Sequence, residues 1–270
     1  MISIILPTYK TPDALYLCVE SIFKSKTTVP VEIVIICDGT RSLNQECLEK
    51  IESNTPKNFF IKTINFDTNY GMPMAVNHGV YQCSFDLIFL INDDNVFPIG
   101  WDKILLDALG NDKNLIITPN QIEPTPSMFK QCIERDFGTN PILFNLERWQ
   151  KEEIHFRREE FDYSGYTFPL FMRKIDFMKV GGWDVSYPYQ AVTDWDFILK
   201  LELCKIKFKR IYSCNFYHFV SLGTKNLDDI NISQEKEMSS HQYFAYKWKE
   251  VAKHNSITNS KMLPTYERFI

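Results

Sequence analysis

Three short segments, residues 2–6, 31–37 and 87–91, constrain this chain more than anything else in it, because they are apolar at nearly every position. A strand with one face in water alternates apolar and polar residues. A run without that alternation belongs in a sheet covered on both faces. Helical patterns lie between these runs. Thr11-Pro12 offers an N-cap and a proline at the first helical position, and Leu15, Val19, Ile22 and Phe23 follow at helical spacing. Ser42 with Gln45 reads as a capping box for a helix to about Ser53. Residues 59–64 and 115–118 read as further strands, and residues 72–83 and 101–109 as helices. Strands alternating with helices predict an α/β fold: an open, mostly parallel sheet with helices on both faces. A length of 270 residues with 44% hydrophobic content suits one sizeable core.

The second half is harder to read. Residues 120–165 are polar, contain Pro124, Pro126 and Pro141, and carry a charged segment over 147–160. They are expected to form loops and short elements crossing the sheet, with Phe137, Phe144 and Trp149 needing cover. Residues 167–172 and 208–212 read as strands. Residues 174–180, closed by Gly181, and 194–204 read as helices, and a longer helix over 233–253 carries Met238, Phe244, Ala245, Trp248 and Val251.

Composition excludes several classes. A net charge of -4 argues against a nucleic-acid partner or an anionic membrane surface. Seven cysteines at irregular spacing, without a CxxC pair, read as reduced thiols and not as a disulfide framework or zinc site. No basic leader opens the sequence, and no apolar run approaches the roughly 20 residues that span a bilayer. The expectation is a soluble, cytoplasmic protein, with peripheral membrane contact left open.

In an open parallel sheet ligands gather at the carboxyl ends of the strands. Those ends carry Pro7-Thr8-Tyr9-Lys10, Asp38-Gly39-Thr40, Asn69-Tyr70-Gly71 and Asn92-Asp93-Asp94. The last is the most telling. Two adjacent carboxylates at the mouth of a dry strand repel and lose hydration, a cost that a divalent cation removes. Carboxylates beside a diphosphate suit Mg²⁺ or Mn²⁺. Further along, Gly181-Gly182-Trp183-Asp184 precedes Thr193-Asp194-Trp195-Asp196. Acidic residues in a first helical turn are ordinary dipole partners when they occur alone.

Taken in order, these segments resemble the nucleotide-diphospho-sugar glycosyltransferases of the GT-A fold, family-2 type. Residues 3–10 resemble that family's first strand and nucleotide loop, and Cys37-Asp38-Gly39-Thr40 its Asp-Asp-Gly-Ser. The stretch from Asn69 through Gly71, Ala75, Asn77 and Gly79 is similar to its Asn…Gly…Ala-Arg-Asn-x-Gly. Asn92-Asp93-Asp94 stands where the family has Asp-x-Asp. Gly181-Gly182-Trp183-Asp184 and Thr193-Asp194-Trp195-Asp196 look like its Gly-Gly-Phe-Asp and Glu-Asp-x-Asp. The match covers roughly residues 2–220. Cys37, Val76, Asn92 and Thr193 depart from it, each replacing a charged family residue.

The resemblance implies a Rossmann-like nucleotide-sugar half over 1–119, an acceptor half over 120–222 and a helical extension over 223–270. It implies that Pro7, Thr8, Tyr9 and Asp38 hold the base, preferably uracil. Asn69, Gly71 and Asn77 would fix the nucleotide, Asp93 the ribose or the metal's outer shell, and Asp94 the Mn²⁺ or Mg²⁺. His218 stands where relatives place a further metal or phosphate contact, and a structural histidine reads equally well. Gly182, Trp183, Asp184 and Trp195 would line the acceptor or donor-sugar region. Asp194 would be the base that deprotonates an acceptor hydroxyl, giving inversion. The implied partners are a UDP-sugar donor and a glycan or glycoconjugate acceptor. Three rivals stay open: a binding protein of the same fold that has lost catalysis, a retaining transferase, and a nucleotidyltransferase. The last is disfavoured because the loop after the first strand lacks glycine.

Overall fold

The structure is a computed structural model that describes residues 1–127, 131–163, 168–188, 191–220 and 238–249. Its first half follows the sequence closely. β1 (Ile2–Thr8), α1 (Pro12–Lys24), β2 (Val31–Cys37), α2 (Arg41–Ser53), β3 (Phe59–Asn65), α3 (Met72–Gln82) and β4 (Leu87–Leu90) alternate as expected. β5 (Asn95–Val96), α4 (Trp101–Leu109), β6 (Leu115–Glu123), β7 (Ile133–Glu134), α5 (Leu146–Glu152), β8 (Phe161–Asp162), β9 (Leu170–Arg173), α6 (Lys174–Lys179), α7 (Thr193–Leu203) and β10 (Lys207–His218) complete the order. A last helix, α8, spans the described residues 238–249. The remainder of the helix read over 233–253 lies outside the described residues, as do Thr167 and residues 221–237 and 250–270.

The ten strands form one sheet in the order β3-β2-β1-β4-β9-β6-β10-β5, with β7 beside β6 and β8 beside β10. β1 runs parallel to β2 and β4, and β2 to β3, as residues without alternation require. β9 lies antiparallel between β4 and β6, and β5 and β8 lie antiparallel to β10, so the second half of the sheet is mixed. One face packs Ile4, Ile33 and Phe89 under α1, α2 and α4, through Leu15, Leu48 and Leu105. The other packs Ile5, Val34 and Leu90 under α3, α6 and α7, through Ala75, Phe177 and Phe197. The three aromatics of the polar stretch find their cover beside Tyr217 and Phe219.

Three expectations are corrected. The Ser42–Gln45 capping box does not form: α2 starts at Arg41 after Thr40, and Gln45 instead donates to Glu49. Thr11 precedes α1 but makes no capping bond, because its hydroxyl is drawn to Asp93. β6 does not stop before Pro119. It runs unbroken through the boundary drawn between residues 119 and 120, so the two halves share a strand. The reason lies in its neighbour: pairing jumps from Ile211↔Pro119 to Asn215↔Asn120, and this bulge in β10 falls where Pro119 has no N–H to give. β10 is correspondingly longer than the strand read over 208–212.

Candidate active site

Thr8 closes β1, and Asn92-Asp93-Asp94 follows β4, its neighbour in the sheet. Asp93 and Asp94 are both buried, at 8% and 6% exposure. Asp93 Oδ2 accepts from Thr8 Oγ1 and from Thr11 Oγ1, each at 2.6 Å. Burial, with the Asp94 carboxylate second, pushes the Asp93 carboxyl up to about 7, against the pull of the two hydroxyls. The repulsion expected from the sequence is therefore built into the site. Thr11 is a participant that sequence reading assigned only to a helix cap.

Sheet register brings a third group to this pair. Tyr217 aligns with Ile122 on β6, and His218 with Asn95 on β5, so His218 stands beside both Glu123 and Asp94. His218 Nδ1 lies 2.9 Å from Glu123 Oε1, and Nε2 lies 3.5 Å from Asp94 Oδ1. Burial alone would lower the imidazole pKa, but Asp94 and Glu123 outweigh it and hold the ring above its ordinary value. In the neutral ring with Nδ1–H donating to Glu123 Oε1, Nε2 carries its lone pair on the Asp94 side, the arrangement in which a carboxylate orients a ligating histidine. Among the described residues no group of three or more His, Cys, Asp or Glu side chains is placed to hold a metal. Asp94 nevertheless suits Mg²⁺ or Mn²⁺, hard cations commonly bound through one or two carboxylates with phosphate oxygens and water in the remaining positions, and the His218 nitrogen stands beside it as a further donor. Glu123 carried no local signal in the sequence, since only strand pairing places it here.

Asp38 follows β2 and accepts from the backbone N–H of Tyr70 at 2.7 Å and of Gly71 at 2.8 Å. Its carboxylate thus carries the loop that opens α3. Burial raises its pKa, and these two N–H groups hold it partly down. Gly39 has φ +72°, and a Cβ there would sit 2.5 Å from Asn69 N, so the two loops meet only because this residue is glycine. Asn69 is exposed, and Pro7 and Tyr9 are half-buried. Beside these loops lies a cleft of about 850 Å³ lined by Gly39, Arg41, Ser42, Asn65 and Asp67 among others. Arg41 and Asp67 line this cleft, and nothing in their spacing marked them. The family's charged positions at Cys37 and Val76 are buried core here, exposed 0% and 1%. Asp38→Ala is expected to raise the donor KM more than it lowers kcat, because the 69–71 loop loses its anchor in ground and transition states alike. A kcat defect at unchanged KM would place Asp38 elsewhere.

Asn77, which the resemblance gives a part in fixing the nucleotide, has both ends of its side-chain amide engaged with backbone. Its Nδ2 donates to Trp183 O and its Oδ1 accepts from Trp183 N, both at 2.8 Å. It is a clip from α3 to the 182–184 turn. Gly182 has φ +70°, and a Cβ there would lie 2.5 Å from Asn77 Oδ1, so this position calls for glycine. Trp183 is buried against Phe168 and Phe197. Gly182 O also accepts from Lys200 Nζ.

Asp194 is the second residue of α7, which begins after Val192, itself in a left-handed conformation. Burial pushes its carboxyl up to about 6, opposed by backbone N–H groups including Trp195 N. That is a useful value for a base near neutral pH. Asp184 differs: its pKa is lowered, because Lys247 and Ser186 outweigh burial, so it is a weak proton acceptor. Trp195 is half-buried against His241 and Phe244 of α8. Asp196 is fully buried and accepts at 2.9 Å from both Tyr187 Oη and Trp248 Nε1. Lys247 Nζ also lies 2.7 Å from its Oδ1, so Asp196→Asn should cost stability, by about 3 kcal/mol, since it strips the charge from a buried network while the lysine stays. A chemical melt showing an unchanged midpoint would contradict this.

The sequence profile described as Glycosyl transferase family 2 matches residues 3–176, well over half of the chain. The chain belongs to glycosyl transferase family 2. It is 26% identical over 200 residues to the UDP-Gal:alpha-D-GlcNAc-diphosphoundecaprenol beta-1,3-galactosyltransferase of Escherichia coli, covering 72% of this chain and 66% of that one. It is 23% identical over 199 residues to the glucosyl-dolichyl phosphate glucuronosyltransferase of Haloferax volcanii, covering 68% and 56%. The chain thus spans less than two thirds of the length of these relatives. Among solved structures, Staphylococcus aureus TarS residues 1–349 in complex with UDP aligns with a TM-score of 0.56 at 13% identity, covering 96% of this chain and 73% of that one. That likeness is one of fold: the large central sheet with flanking helices expected of a GT-A glycosyltransferase is present. The family match ends at residue 176, so α7 and α8 lie beyond it.

Proposed function

We propose that this family-2 chain transfers a sugar from a UDP-sugar to a hydroxyl of a lipid-linked glycan, with inversion and with Mn²⁺ or Mg²⁺ as cofactor. The observation that carries the reading is the strand-end cluster of Asp93, Asp94 and His218, with His218 held by Glu123. Asp94 and His218 would hold the cation, which when bound neutralises charge on the leaving diphosphate. Thr8 and Thr11 hold Asp93 beside it. The cleft at Gly39, Arg41 and Asp67 takes the uridine. Asp194 accepts the proton of the acceptor hydroxyl as it attacks the anomeric carbon. A single base on the side opposite the leaving group gives one displacement, hence inversion. The lipid-linked acceptor is supported by two relatives whose names describe sugars on diphosphoundecaprenol and dolichyl phosphate. No helix among the described residues is long and apolar enough to cross a membrane.

A panel of UDP-sugars assayed for UDP release, with Mn²⁺, with Mg²⁺ and with EDTA, tests this. One donor should turn over, and chelator should stop it. Full turnover in EDTA would remove the cation from the account. Binding of UDP without turnover of any donor, in the presence of lipid-linked acceptors, would favour the binding-protein reading.

A further inference from the structure

Two lysines tie the first turn of α7 to the 182–184 turn. Lys200 Nζ donates to Gly182 O and lies 3.7 Å from Asp196 Oδ2. Lys247, on α8, lies 2.6 Å from Asp184 Oδ2 and 2.7 Å from Asp196 Oδ1. Asp184 belongs to the turn that Asn77 clips from the nucleotide side, and Asp196 shares the first turn of α7 with Asp194. The helix that delivers Lys247 is firmly seated. Phe244 and Trp248 are buried with Tyr187, Val192 and Leu199, and Tyr243 meets Tyr187 edge-on at 4.8 Å between centroids. Trp248 Nε1 adds its bond to the same Asp196 oxygen that Lys247 contacts.

We infer that Lys247 is a positioning residue for the transfer step, and that α8 completes the active site. The inference rests on Asp194 being the base. Fully buried Asp196 needs countercharge, and Lys247, at 2.7 Å the nearer of its two lysine partners, supplies it while also fixing Asp184. Asp194 lies only two residues from Asp196, so the ammonium sets where the α7 N-terminus stands relative to the turn at Trp183. That turn is in its place on the nucleotide side through Asn77. Lys247 thereby couples the geometry of the base to that of the donor site without touching either reactant. A shift of about 1 Å in such a support is worth up to about 10²-fold in rate.

The test compares Lys247→Met, Lys247→Arg, Asp184→Asn and Asp194→Asn in one transfer assay, each well below its own melting temperature, with UDP affinity measured alongside. Lys247→Met should lower kcat about 10- to 100-fold per folded molecule at unchanged UDP affinity. Lys247→Arg, which keeps the charge, should recover most of that loss. Should Lys247→Met fail to fold, Asp184→Asn carries the test, because Asp196 keeps its lysine there. It should lower kcat several-fold, again at unchanged UDP affinity. Wild-type kcat in a folded Lys247→Met or Asp184→Asn, beside a slow Asp194→Asn, would overturn the role of Lys247 alone. Near-normal turnover by Asp194→Asn would instead overturn the base assignment on which it rests.

Discussion

Asp194→Asn should cut sugar transfer by about 10²–10⁴-fold, while UDP affinity stays at the wild-type level. A sugar hydroxyl is a poor nucleophile until its proton is taken up, and the amide keeps the shape of the carboxylate without its basicity. The wild-type rate should also fall as pH drops through about 6, where this half-buried carboxyl takes up its proton, and that acid limb should vanish in the variant. Stability supplies an independent check on the same group. Its folded pKa lies above its ordinary value, so ionisation works against the folded state, and stability attributable to it declines as pH rises from the ordinary carboxyl range to about 6. Removing the charge should thus leave the melting temperature at pH 7 no lower than wild type. A variant that loses activity only by unfolding would not fit, and neither would one that keeps near-normal transfer at saturating acceptor. In the latter case the base lies elsewhere.

Asp94→Ala should weaken Mn²⁺-dependent UDP binding by about 10²-fold. Its carboxylate is 6% exposed, with His218 Nε2 on one side and Asp93 next in sequence. Truncating one partner of a buried charged contact costs about 2–5 kcal/mol. Titration calorimetry separates this from a general loss of nucleotide affinity, because binding measured in EDTA should change little. Equal UDP affinity in wild type and variant with saturating Mn²⁺ would remove Asp94 as a ligand.

The strand-end half of this site was legible because its signals are local. Thr8, Asp38, Asp93 and Asp94 each follow an apolar run directly, so the sheet's polarity alone puts them on one edge. The rest depends on pairings far apart in sequence. Glu123 meets His218 across 95 positions, through a register reset by the bulge opposite Pro119. Lys247 reaches Asp184 and Asp196 from a helix whose apolar face was readable but whose docking site was not. Asn77 shows a different limit. Its motif position was recognisable, but the direction of its side chain is fixed by the backbone of Trp183, 106 positions away. Likewise Pro119 reads as a strand end, and only the neighbouring strand shows why the chain continues. Sequence pattern decided which elements exist here, and tertiary contacts decided which polar groups they deliver to the site.

The most direct test of the account is the anomeric configuration of the transferred sugar, read by proton NMR on product formed from the preferred UDP-sugar and a lipid-linked acceptor. One displacement assisted by Asp194 predicts a glycoside with the configuration opposite to that of the donor, formed only with Mn²⁺ or Mg²⁺ present. A product that retains the donor's configuration would contradict single displacement by one base, and a glycoside formed at full rate in chelator would contradict the cation site at Asp94 and His218.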